Sequence, residues 1–174
     1  TFEENTKMNK KLTVLALFLF VSAIAFGAFG AHALKDILVE KWLRAFDTGV
    51  RYQFYGAILL LILSFQNTLI QGNNLRWIYA FTIGLLLFVL SIYGLVLAEI
   101  FHYKASFLGP ITPVGGFIMI ISLLIFTINI VIIFIIIFIF IKVIIIIFHL
   151  TFVIIIMIII LIIIKINIIF FNIY

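Results

Sequence analysis

Apolar runs too long for any globular core element dominate this chain. Leu12 to Ala33, Val50 to Ile70 and Trp77 to Ile100 are each long enough to cross a hydrocarbon layer, and a fourth run opens after Pro113. A crossing takes about 20 residues of helix. A transmembrane barrel would show short alternating segments instead of continuous runs. With 67% hydrophobic and 10% charged residues, the chain lies outside the globular balance. The expected fold is therefore all-α: a polytopic transmembrane bundle of about four spans, integral to a membrane.

Composition also removes whole classes of chemistry. There is no cysteine, so disulfides, thiol redox centres and thiolate metal sites are excluded. No Gly-rich phosphate loop, HExxH or GxSxG pattern occurs. No cofactor, metal or catalytic set is expected, and an enzyme ranks last among the possible functions. The net charge of +5 does not point to nucleic acid, because the basic residues flank apolar runs, where lipid headgroups account for them.

The chain divides into a polar tail at 1–11, a membrane domain at 12–125 and an apolar tail at 126–174. Met8 looks like the natural start, with Thr1–Lys7 as upstream sequence. The first run, with its basic flank and small "AFGA", also has the order of a cleaved signal peptide, but its length favours a span. Residues 34–51 are amphipathic at helical spacing. Leu34, Leu38, Trp42, Ala45 and Phe46 fall on one side, and Asp36, Glu40, Lys41, Arg44 and Asp47 on the other. That pattern predicts either an interfacial helix or a connector packed on its own bundle. "QGNN" at 71–74 reads as a turn.

Of the 58 residues from 117 to 174, 30 are isoleucine, with no Gly, Ala, Pro, Asp, Glu, Arg or Gln. Bundle helices normally carry small residues where they touch. The stretch beyond about Phe126 therefore reads as low-complexity, frameshifted or read-through sequence. It would still enter lipid as helix, with room for a fifth span and breaks near Lys142 and Lys165.

Small residues form seams. Ala16, Ala23 and Gly30 recur at intervals of seven, with Gly27 on an adjoining face, and Ala23, Gly27 and Ala31 form a small-xxx-small line. Gly84, Ser91 and Ala98 repeat in the same way in the third span. In lipid, where little hydrophobic drive joins helices, such seams imply close backbone packing. In "GPITPVGG", Pro110 biases Gly109 towards extended backbone. Thr112 suits an N-cap, Pro113 the first helical position, and Gly115 and Gly116 a close approach in the first turn.

His32 closes the first span, where it is either an end residue solvated at the interface or a titrating or substrate-contacting group. Tyr52, Gln53 and Tyr55 begin the second span, and Glu99 ends the third on the same membrane side. These groups could line a polar path, which makes a small transporter or channel the alternative to a structural or interaction role. Neither paired charges deep in the spans nor an inverted repeat supports a carrier. The expected partners are the lipid bilayer and a second copy or another membrane protein. Lys and Arg number four on one side and five on the other, which leaves orientation open. Lys10 and Lys11, abutting the first span, favour a cytoplasmic N-terminus.

"FGAFGAHAL", "TGVRYQFY" and "LGPITPVGG", in this order and spacing, resemble the YgdD/YwdK-like domain-of-unknown-function family of small membrane proteins. The resemblance covers roughly residues 10–125. It implies a compact bundle of about four transmembrane helices, no established activity and a bacterial inner (plasma) membrane location. The family motifs match Gly27, Gly30, Ala31, His32, Tyr52, Gln53, Tyr55, Thr112, Pro113, Gly115 and Gly116. Three departures stand out. Gly56 replaces a frequent histidine, Leu90 replaces a glycine, and the Gly-Trp pair that usually follows "GG" is missing.

Overall fold

The computed structural model describes residues 8–66 and 72–171, with side chains described to residue 163. Four α-helices follow one another: α1 (Lys10–Phe29), α2 (Glu40–Ser64), α3 (Asn73–Ile100) and α4 (Ile111–Phe171). A π-helical turn, Gly30–Leu34, extends α1, and a short 3-10 turn, Ser106–Leu108, precedes α4. Thr1–Asn129 and Ile130–Tyr174 form separate compact units.

Side-chain contacts fix the topology of the first unit as antiparallel neighbours in chain order. The α1/α2 pair is closed at one end by the Asn9 amide, which donates to the Ser64 carbonyl at 3.0 Å. At the other end a Cβ on Gly30 would lie 2.9 Å from the Phe46 ring, so any larger residue there would push that ring aside. Between them Phe20 and Phe54 pack with ring centroids 4.7 Å apart. Helices α2 and α3 meet at Gly49 against Tyr93 and at Gly56 against Leu85. Helix α1 also reaches α3, where Phe26 meets the Tyr93 ring edge-on at 5.1 Å.

The closest approach joins α3 to α4. A Cβ on Gly115 would stand 2.5 Å from the Phe88 amide nitrogen and 2.8 Å from the Gly84 carbonyl oxygen. One on Gly84 would stand 2.9 Å from both the Gly115 oxygen and the Met119 nitrogen. Both obstacles are backbone, which cannot swing aside as a side chain can. On either side of this contact, Ser91 and Thr112 share a hydrogen bond at 2.7 Å, and Asn129 donates to Asn74 at 3.2 Å. All these pairs obey one antiparallel register, so the seam runs most of the length of α3.

Among the described residues, three helical segments are long and apolar enough to span a membrane: Lys10–Leu34, Asn73–Ile100 and Ser106–Ile163. The charged first turns of α2 set it apart. It nevertheless runs alongside α1 from Phe46 to Ser64 and so passes through the same layer. The expected second span stops at Ser64, and residues 67–71 lie outside the described residues, as does Gln71 of the "QGNN" turn. The turn's Gly72 precedes α3 at φ 59° and ψ −128°, a conformation suited to glycine.

Several local expectations change. Leu34, Leu38 and Phe46 are buried and the opposing charges exposed, as the amphipathic pattern predicts. No separate interfacial helix follows span one, however. Nothing interrupts the chain after Glu40, and Glu40–Arg44 and Asp47–Arg51 ion pairs support the polar turns at helical spacing. The part from Glu40 onward therefore becomes the start of α2, and residues 35–39 form the connection before it. Thr112 is not the N-cap of α4, which already begins at Ile111, and Gly109 is helical (φ −55°, ψ −51°) rather than extended. The 3-10 turn tightens the backbone before Pro110 and overrides its bias. Helix α4 also continues through Lys142 and Lys165, since lysine is a good helix former.

Helix α3 ends in a Schellman turn. Tyr103 N–H reaches the Ala98 carbonyl at 2.7 Å and His102 N–H reaches that of Glu99 at 3.2 Å. His102 occupies the left-handed position (φ 52°) that glycine usually fills.

The glycine seam yields a paired test. Gly115→Ala should destabilise the bundle in detergent by about 1–3 kcal/mol through overpacking, net of any gain in helix propensity. Gly116→Ala should be neutral or better, because its Cβ would meet the Phe88 ring at an ordinary 3.6 Å. Equal effects in reversible unfolding would show that the α3/α4 contact is looser than described.

Candidate functional site

The most concentrated polar chemistry inside the bundle surrounds Gln53. Its carboxamide is buried at 3% exposure, at the meeting of α1, α2 and α3. Its Nε2 donates to the Leu19 carbonyl at 3.0 Å and to the Ser22 hydroxyl at 2.7 Å. Its Oε1 accepts from the Tyr93 hydroxyl at 2.8 Å. Both amide hydrogens and the carbonyl are thus in use. The Ser22 hydroxyl lies within hydrogen-bond distance of the Phe18 and Leu19 carbonyls of its own helix. Such a group, left without partners in lipid, would cost several kcal/mol.

Tyr93 is placed as carefully as Gln53. Its ring lies over Gly49, where a Cβ would come within 3.0 Å of Cε1. Phe46 faces it at 5.0 Å and Phe26 meets it edge-on. Chemically the cluster is a clasp. An amide and two neutral hydroxyls join three helices, and none of them offers a base or an activated nucleophile.

The other expected residues do not converge on it. His32 lies in the π turn and is exposed, as is Glu99 at the end of α3. Tyr52 turns outward, with its ring 5.0 Å from Phe88, and Tyr55 is exposed beside it. Thr112 serves the α3/α4 seam through Ser91, and Pro113 is exposed in the first turn of α4. Among the packing residues, Ala23, Gly30, Gly84, Ser91 and Gly115 are buried, while Gly27 and Gly116 are partly exposed. Among the described residues, no three His, Asp or Glu side chains are placed to hold a metal ion. Gly56 packs directly beneath the Leu85 side chain, so the histidine frequent there in the resembling family would need Leu85 to move.

Sequence reasoning missed Tyr93 and Ser22. The available signal was a hydroxyl-bearing residue in each of two apolar spans, at a depth matching Gln53.

A double-mutant cycle tests the clasp. Tyr93→Phe should cost about 1 kcal/mol by leaving the Gln53 carbonyl without its donor. In a Gln53→Leu background the same change should cost almost nothing. Additive losses would mean that the two side chains do not share a contact.

The comparisons with known proteins cover this same region. The family described as "Protein of unknown function (DUF423)" matches residues 26–116, which include the π turn, Gln53, Tyr93 and the Gly84/Gly115 contact. A UPF0382 membrane protein of Staphylococcus epidermidis is 33% identical over 121 residues, 68% of this chain and 93% of the relative. The Bacillus subtilis UPF0382 membrane protein YwdK is 36% identical over 104 residues, 58% of this chain and 79% of its own length. A UPF0382 membrane protein of Haemophilus influenzae is 36% identical over 119 residues, 66% of this chain and 87% of its own. No solved structure matches the chain. The apolar helices, the ordered motifs and these relatives agree: the chain belongs to the DUF423 family of UPF0382 membrane proteins, whose biochemical activity is unknown.

Proposed function

We propose that this is a non-enzymatic protein of the bacterial inner membrane with a structural or interaction role. It works through contacts with lipid and with a second copy or another membrane protein. The observation that carries this reading is the use of Gln53: all three of its hydrogen bonds tie helices together, and none is turned to a path. His32 and Glu99, which would have to extend such a path, lie exposed and apart from the clasp. Continuous apolar helices rather than alternating strands favour the inner membrane. The role then belongs to the outer surfaces, where Val14, Phe18, Tyr55 and Ile83 are exposed and apolar.

Photo-cross-linkers at Val14, Tyr55 and Ile83 in native membranes should trap a second copy or another membrane protein. The reconstituted chain should give background flux across an ion and solute panel. Flux above that of empty vesicles, lost in His32→Ala or Gln53→Leu, would overturn the proposal in favour of a carrier.

A further inference from the structure

We infer that the cleft between the end of α1 and the start of α2 binds one anionic phospholipid, with the lipid phosphate at Lys35 and Arg44. The inference rests on the membrane-contact role proposed above and gives that role a ligand class. The cleft has a volume of about 280 Å³. Three properties of its lining select the occupant.

The first is the absence of side-chain bulk on the α1 side. Gly27, Gly30 and Ala31 line that wall, the last two within the π turn. The opposite wall is apolar, formed by Leu43, Phe46 and Val50 of α2. Phe46 and Val50 already close on Gly30 and Gly27, so hydrocarbon can lie only along the outer edge of the cleft, beside Ala31 and Leu43.

The second is position. The cleft sits where the apolar Lys10–Leu34 segment ends, which is where a spanning helix leaves the hydrocarbon. Its volume is just below that of ordinary small-molecule pockets, roughly 300 Å³ and upward. That suits a headgroup and the first carbons of a chain, with the rest of the lipid remaining in the bilayer.

The third is charge. Lys35, Arg44 and Asp47 are the charged groups of the lining. Asp47 is held by Arg51 at 2.5 Å, and Arg44 makes only a long, exposed contact of 3.5 Å with Glu40. Lys35 has no ion-pair partner among the described residues. The lining therefore offers two cations to a phosphate, while its one carboxylate, Asp47, is already paired. A headgroup with net negative charge fits better than a zwitterionic one. Basic groups near a membrane surface attract anionic lipid.

Native mass spectrometry of the full-length chain in detergent, with phosphatidylglycerol or phosphatidylcholine added, tests this. Phosphatidylglycerol should be retained about tenfold better. Lys35→Ala with Arg44→Ala should abolish the preference. Lys41→Ala with Lys104→Ala, which removes equal charge away from the cleft, should leave it intact. Ala31→Trp should fill the cleft and lower retention with both cations still in place. Equal loss in the two double variants, or retention unchanged in the first, would overturn the inference. Displacement by soluble glycerol phosphate at matched concentration would overturn the lipid assignment. Solute flux would defeat the functional reading alone, since the headgroup preference can be read regardless of it.

Discussion

Two glycine backbones set the distance between α3 and α4. Lipid is as apolar as leucine, so burying leucine between helices contributes little to their association. What remains is dispersion between surfaces that fit closely, together with hydrogen bonds. At Gly84 and Gly115 the fit is backbone on backbone, with no room for a methyl group on either side. The two α3/α4 side-chain hydrogen bonds, Asn74–Asn129 and Ser91–Thr112, fall in the register that this approach defines.

The polar groups then act as pins along surfaces already held close. Gln53 joins three helices, Ser91 and Thr112 join two, and the Asn9 amide fastens the start of α1 to the end of α2. Asn9 also caps α1, its side chain accepting from the Leu12 amide at 3.2 Å. Among the described residues, no buried side-chain nitrogen or oxygen lacks a partner. The interior is thus committed to cohesion, and the uncommitted charges lie on the surface. There the cleft at the end of α1 combines an apolar interior with a basic mouth.

The seams were legible because a seven-residue recurrence of small residues survives without knowledge of partners. Gly84, Ser91, Gly115 and Thr112 could each be singled out, but that they face one another depends on helix rotation, which spacing along one chain does not encode. Gln53 illustrates the same limit. It stood out as a polar residue at the start of a span beside Tyr52, whereas its hydrogen-bond partners are Leu19, Ser22 and Tyr93. Tyr93 was passed over because spacing along the third span does not show that its hydroxyl faces Gln53. Residues 34–51 suggested an interfacial helix or a packed connector, since composition shows a change of environment and not where the backbone breaks. The π turn at Gly30–Leu34 had no sequence signature beyond its small residues.

The most direct measurement is a disulfide across the seam, made easy by a chain that contains no cysteine. Ser91 and Thr112 place their hydroxyl oxygens 2.7 Å apart, so cysteines at both positions are within bonding reach. Mild oxidation of Ser91→Cys/Thr112→Cys in membranes should give an efficient intramolecular cross-link. The same pair should cross-link poorly once Gly115→Leu forces the helices apart. Failure to cross-link with Gly115 intact, or undiminished cross-linking with leucine there, would contradict a bundle organised by that glycine contact.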